Sequence, residues 1–121
     1  MKIKILAPAL TVCQVADLTG IDLHREFCFV QRTDEELSVV CPTDAVPDHT
    51  LAREDGWRAF RIEGVLDFSL IGILAAISAV LAEAQIGIFA VSTYNTDYIL
   101  VKAEALDRAI DALRAADYTV V

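Results

Sequence analysis

Two observations predict an α+β fold with antiparallel strands and both helices on one face. Over the second half of the chain, the spacing of apolar residues switches between a period of two and a helical period, in the order β-α-β-β-α-β. The first half then repeats a strand–turn–strand part of that order, so the chain reads as two copies of one unit, the first reduced.

The second copy is the plainer. WRAFRIEG (57–64) alternates, Trp57, Ala59 and Ile62 opposing Arg58 and Arg61, and it closes on Gly64 as a strand. Leu70, Ile73, Leu74, Ile77 and Leu81 then recur at helical spacing, with Asp67 or Ser69 as N-cap and Gly87 as stop, which predicts a helix over 70–85. IGIFAVST (86–93) and YILVK (98–102) are strands around a polar turn. AEALDRAIDALRAAD (103–117) is an amphipathic helix with Leu106, Ile110 and Leu113 on one face, and YTVV (118–121) is a closing strand. This is the ferredoxin-like order.

In the first copy, EFCFVQRTDEELSVVCP (26–42) aligns with GIFAVSTYNTDYILVKA (87–103) at a constant offset of 61 positions (97 − 36). That offset places Val30 on Val91 and Glu36 on Asp97. LTVCQV (10–15) is the expected first strand, and DLTGIDLHRE (17–26) leaves room only for a short, poor helix. The Pro-flanked stretch 41–56 is the expected link between a reduced unit at 1–50 and a full unit at 51–121.

Composition narrows the function. With 121 residues, 55% of them hydrophobic, the chain suits one domain or two very small ones sharing a core. Ten basic against eighteen acidic residues give a net charge of −8 and no basic cluster, which argues against nucleic-acid and membrane-surface partners. The N-terminal apolar run is too short for a signal peptide, and the run at 70–82 is too short to span a bilayer, so the reading is cytoplasmic. Cys13, Cys28 and Cys41 form no short-spaced ligand pair, so no metal or other cofactor is expected, and free buried thiols are the better account. His24 and His49 read as surface residues and Trp57 as a packing anchor. Neither histidine stands in a triad-like or Cys–His context, so an enzyme is not expected.

ELSVVCP (36–42), GWRAFRIEGVLDFSLIGILAAIS (56–78) and IFAVSTYNTDYILVK (88–102) together resemble the small bacterial proteins built from tandem ACT domains. Those proteins are related to aspartate kinase regulatory regions and to the cytosolic arginine sensors. The resemblance implies a four-stranded sheet backed by two helices in each module, and amino-acid binding against the loop that enters the first helix. Here that loop is VLDFSLIG (65–72), and the contacting aspartate of the sensor motif falls on Asp97.

Each candidate site residue has a plain reading beside the functional one. Asp97 is a suitable acceptor for an ammonium group, but Asn95 and Asp97 are also turn formers. Ser69, Leu70 and Ile71 would present helix N-terminal N–H groups to a carboxylate. Gly72, inside the first turn, would admit a ligand or another backbone. Asp67 is either N-cap or ligand contact, and Tyr94 and Asn95 flank the aspartate on the hairpin. The expected function is a non-catalytic regulatory or sensing module for a small molecule, an amino acid by resemblance. The alternative is a ligand-free module that assembles through its sheet and helices. The helix at 70–85 carries Ala75, Ala76, Ala79 and Ala82 on its second face and no charge before Glu83, which favours a homodimer.

Overall fold

A computed structural model describes residues 1–64 and 71–121. The elements are β1 (Lys2–Ile5), β2 (Leu10–Gln14), β3 (Phe29–Arg32), β4 (Leu37–Pro42), a 3-10 turn (Thr43–Ala45), β5 (Ala52–Ile62), α1 (Ile73–Glu83), β6 (Phe89–Ser92), β7 (Asp97–Lys102), a second 3-10 turn (Ala103–Ala105), α2 (Leu106–Ala115) and β8 (Thr119–Val120). They form two compact units, one of Met1–Ala7 with Arg58–Val121 and one of Pro8–Trp57.

In the first of these, β7 pairs with β6 and with β5, β5 pairs antiparallel with β1, and β1 pairs parallel with β8. The sheet is therefore mixed, not antiparallel as expected. The parallel pair comes from β1, a strand the sequence reading missed: Ile3 is fully buried in the core while Lys2 and Lys4 are exposed. Phe60 and Ile62 of β5 point to that core with Ile99 and Val101 of β7. Strand alternation puts Ala59 and Arg61 together on the other face, which corrects the expected grouping of Ala59 with Ile62.

Ile77 and Leu81 of α1, with Ala109 and Leu113 of α2, cover this core. α1 starts at Ile73 rather than 70 because Gly72 is its N-cap at φ 82°, a left-handed conformation that glycine adopts without strain. Its end is set by Gln85, at φ 61°, and not by Gly87. Gln85 N–H donates to Ala82 O and Ile86 N–H to Leu81 O, both at 2.9 Å, while Ile86 and Leu81 both lie in the core. α2 closes the same way through Asp117 and Tyr118. Ala75, Ala76, Ala79 and Ala82 of α1 are exposed. Among the described residues no helix is long and apolar enough to cross a membrane.

The second unit is an antiparallel run β3-β4-β2-β5. Cys13, Val15, Leu37, Val39 and Cys41 form its core, with Ile21, Cys28, Val30 and Val46 packed against them. No helix forms between β2 and β3; turns occupy the stretch. The expected link 41–56 is instead the end of β4, a 3-10 turn and the first half of β5. Residues 52–56 are all exposed, so no apolar alternation announces them as strand.

Candidate functional site

The β6–β7 hairpin fixes the surroundings of Asp97. Ser92 faces Asp97 across the ladder, and Ser92 Oγ donates to Asp97 Oδ1 at 2.7 Å. Thr93 N–H donates to Thr96 O at 2.9 Å to close the turn. Thr96 is only 6% exposed, and its hydroxyl donates to Ile62 O at 2.9 Å, which ties the hairpin to the end of β5. Alternation along β7 places Asp97 on the helix-bearing face with Ile99 and Val101, and Tyr98 on the opposite face.

A cavity of about 260 Å³ opens beside this tie, lined by Arg61, Ile62, Glu63, Gly64, Asn95, Thr96 and Tyr98. Arg61 is held there by two of its neighbours. Its Nε donates to Glu63 Oε1 at 3.1 Å, its Nη1 donates to Tyr98 Oη at 3.4 Å, and its guanidinium carbon lies 5.9 Å from the Tyr98 ring centroid. The Tyr98 oxygen, and then the Glu63 carboxylate, raise the guanidinium pKa further above its already high value. The cavity thus offers a fixed cation, a carboxylate, an amide and an aromatic ring within a few residues. Its volume falls just below the roughly 300–1,000 Å³ of sites for drug-sized ligands, which suits a small metabolite.

The expected site residues divide three ways. Asn95 lines the cavity. Asp97, Tyr94, Ile71 and Gly72 do not appear in its lining: Asp97 is turned to Ser92, Tyr94 is 78% exposed on the turn, and Ile71 is 94% exposed. Gly72 is the N-cap of α1 rather than a residue of its first turn, and its left-handed backbone already favours glycine. Asp67, Ser69 and Leu70 lie outside the described residues. Arg61, Glu63, Thr96 and Tyr98 were not anticipated. Arg61 and Glu63 did leave a signal, since opposite charges two residues apart on a strand share a face.

The hairpin register also corrects the internal alignment. Arg32 faces Leu37 in β3–β4, and Ser92 faces Asp97 in β6–β7, so the two hairpins correspond at an offset of 60 (92 − 32), not 61. Leu37 is the counterpart of Asp97, and exposed Glu36 is the counterpart of Thr96. The recurring acid is a product of the one-residue slip.

A second cavity, of about 330 Å³, lies in the other unit among Asp17, Thr19, Gly20, Pro47, Asp48 and His49. The Thr19 backbone N–H, with a smaller part from its hydroxyl, holds the Asp17 carboxyl below its ordinary value. His24 and His49 are both exposed. Among the described residues, no three His, Cys, Asp or Glu side chains are grouped to hold a metal ion.

A family model described as the ACT domain matches residues 52–115. A crystal structure of a protein from Agobacterium tumefaciens is 31% identical, with a TM-score of 0.85 over 99% of this chain and 91% of that one. A Vibrio cholerae protein is 22% identical, with a TM-score of 0.73 over 93% and 86% of the two chains. The regulatory subunit of aspartate kinase from Thermus thermophilus is 11% identical, with a TM-score of 0.68 over 96% and 97%. The last two likenesses bear on the fold alone. No curated protein matches the sequence.

Proposed function

We propose, for a chain that belongs to the ACT domain family, a non-catalytic regulatory module that binds a free α-amino acid at the Arg61 cavity. The observation that carries this is the opposite-charge pair Arg61–Glu63 in a cavity closed by Asn95, Thr96 and Tyr98. A zwitterion exchanges that one internal pair for two charge-assisted contacts, its carboxylate on the Arg61 fork and its ammonium on Glu63. Asp97, on the face of β7 opposite Tyr98, with Tyr94 on the hairpin and Asp67, Ser69, Leu70, Ile71 and Gly72 before α1, is proposed as an alternative set of contacts to that cavity; an acidic set of this kind favours a basic side chain such as that of arginine or lysine. The reading includes a cytoplasmic protein and two ACT-like units, the first reduced. The shared hairpin register at offset 60, with a 3-10 turn after each hairpin, supports the duplication.

A second reading, assembly without ligand, is favoured by the exposed alanines of α1 beside exposed Ile71. Either reading accommodates a homodimer. The test is thermal melting with each of the twenty amino acids singly. A ligand held only by the native state raises Tm by mass action, by about 2.7 kcal/mol of stability at a hundred times Kd. One or a few amino acids are expected to do so, and Arg61→Met is expected to abolish the shift while leaving a cooperative melt. If none shifts Tm at millimolar concentration, the ligand-binding reading is wrong and assembly remains.

A further inference from the structure

The three thiols of the Pro8–Trp57 unit converge on one core. Cys13 and Cys41 are buried in it and half-buried Cys28 packs against it; all three are free. In the β3–β4 ladder Phe29, the first residue of β3, faces Val40 and Val30 faces Val39; the same register carried one residue beyond the strand sets Cys28 opposite Cys41. The phase of the hydrogen bonds is also fixed. Val15 N–H donates to Leu37 O and Thr43 N–H to Ala9 O, both at 3.0 Å, so odd-numbered residues of β4 direct their backbone groups to β2 and even-numbered ones to β3. Cys28 and Cys41 therefore form a non-hydrogen-bonded pair. Such pairs hold their Cα atoms about 4.5 Å apart, inside the roughly 4.4–6.8 Å that a disulfide spans. Cys13 faces Val39 instead, which leaves it diagonal to Cys41 at roughly 7–8 Å, a poorer separation for a bond.

We propose that Cys28 and Cys41 are a hydroperoxide-sensitive thiol pair that closes into a cross-strand disulfide at the open end of the β3–β4 hairpin. Cys28 is the thiol that solvent reaches, so it reacts first. Its thiolate attacks one peroxide oxygen, an S–O bond forms, the O–O bond breaks, and the departing oxygen leaves as water once protonated. The Cys41 sulfur then attacks the sulfenic sulfur of Cys28. An S–S bond forms, the S–O bond breaks, and the expelled hydroxide takes the Cys41 proton as a second water. Two thiols are oxidised by two electrons and one peroxide is reduced to two waters. Burial pushes both thiols up, Cys41 to about 11. The reaction at neutral pH is therefore slow, a response to sustained oxidant rather than to a brief pulse.

The test treats the full chain with hydrogen peroxide, alkylates it under denaturing conditions and maps the peptides. The expected product is a monomer lacking two hydrogens, with a Cys28–Cys41 linked peptide and one alkylated cysteine, Cys13. Its Tm is raised by about 5–10 °C, because the bridge restricts the unfolded chain, and dithiothreitol reverses the rise. Cys13→Ala should keep the Cys28–Cys41 link and the rise in Tm on oxidation. Cys28→Ser, at a half-buried position that tolerates the change, should lose both the link and the Tm rise. Three alkylatable thiols after treatment, a link through Cys13, over-oxidation of Cys28 without a link, or cross-linked dimers alone would each overturn the assignment.

Discussion

The β3–β4 hairpin and the β6–β7 hairpin have the same frame and differ in what their fourth turn residue touches. Each has a four-residue strand, a six-residue strand and a following 3-10 turn, and each closes with a threonine N–H donating at 2.9 Å, Thr33 to Glu36 O and Thr93 to Thr96 O. In the first hairpin the fourth turn position, Glu36, stands in solvent. In the second it is Thr96, buried and bonded to Ile62 O, and beside it the Arg61 cavity opens. Two hairpins of one backbone pattern thus have different surroundings at the turn, and the residue at its fourth position marks the difference. The polar character of both turns is architectural; the tie to β5 belongs to one.

The strongest break of this comparison is at a position where the two hairpins should agree. Val39 and Ile99 correspond at offset 60 and both are fully buried. Ile99→Ala is expected to cost about 2–5 kcal/mol and Val39→Ala about 1.5–3, the difference following side-chain size. Urea midpoints measure both. A loss below about 0.5 kcal/mol for Val39→Ala would mean that the first hairpin does not bury its face as the second does.

The next effect should separate the units, since all three cysteines lie in one of them. A buried thiol whose folded pKa is raised stays protonated while its unfolded counterpart ionises. Its stabilisation is therefore complete below the ordinary thiol value near 9 and is lost as pH rises towards 11. For Cys41 the loss is on the order of 2–3 kcal/mol by pH 11, and burial acts in the same sense on Cys13 and Cys28. Denaturant melts between pH 8 and 11 should show the decline, and Cys41→Ala should flatten it. An unchanged slope in that variant would overturn the assignment of the decline to Cys41.

How far the sequence could be read follows from what each element leaves in its pattern. α2 was legible because its apolar face repeats at 3.6 residues, and the hairpins because polar turns interrupt strongly apolar strands. β1 and the first half of β5 were not. The first is four residues long and the second is exposed along 52–56, so neither shows an alternation against its surroundings. Both helix C-termini rest on non-glycine residues in left-handed conformation, Gln85 and Asp117; aspartate is one of the residues that tolerates it, but no residue preference points to Gln85. The offset of 61 matched Val30 with Val91 and Glu36 with Asp97; the true offset of 60 matches Phe29 with Phe89 and Thr33 with Thr93. Identity alone could not choose between them, and a one-residue slip in a strand exchanges its faces. The Arg61 cavity depends on residues brought together from β5 and the second hairpin, a proximity that chain order does not contain.

Thr96→Val sharpens the comparison further. It removes the hydroxyl that satisfies Ile62 O and keeps the volume, so a buried carbonyl loses its donor at a cost of about 1–3 kcal/mol. Glu36→Ala at the matching position of the other hairpin should stay within about 0.5 kcal/mol. Similar losses at both sites would erase the distinction between a tied and an untied turn.

The smallest structural effect is expected at Asp97, and it is the most informative about function. Its described partner is Ser92 Oγ, a hydroxyl on an exposed residue at 2.7 Å. Losing the charge in Asp97→Asn should therefore cost less than about 1 kcal/mol, because solvent screens an interaction at this position. Ser92→Ala should match it if their contact is the whole role of the carboxylate. Any additional role appears only in the presence of ligand. If an amino acid raises Tm and Asp97→Asn removes that rise while Ser92→Ala keeps it, the carboxylate binds the ligand from the helix-bearing face, opposite Tyr98. If both variants keep the rise, Asp97 is a hairpin residue like its counterpart Leu37, and recognition belongs to Arg61 and Glu63.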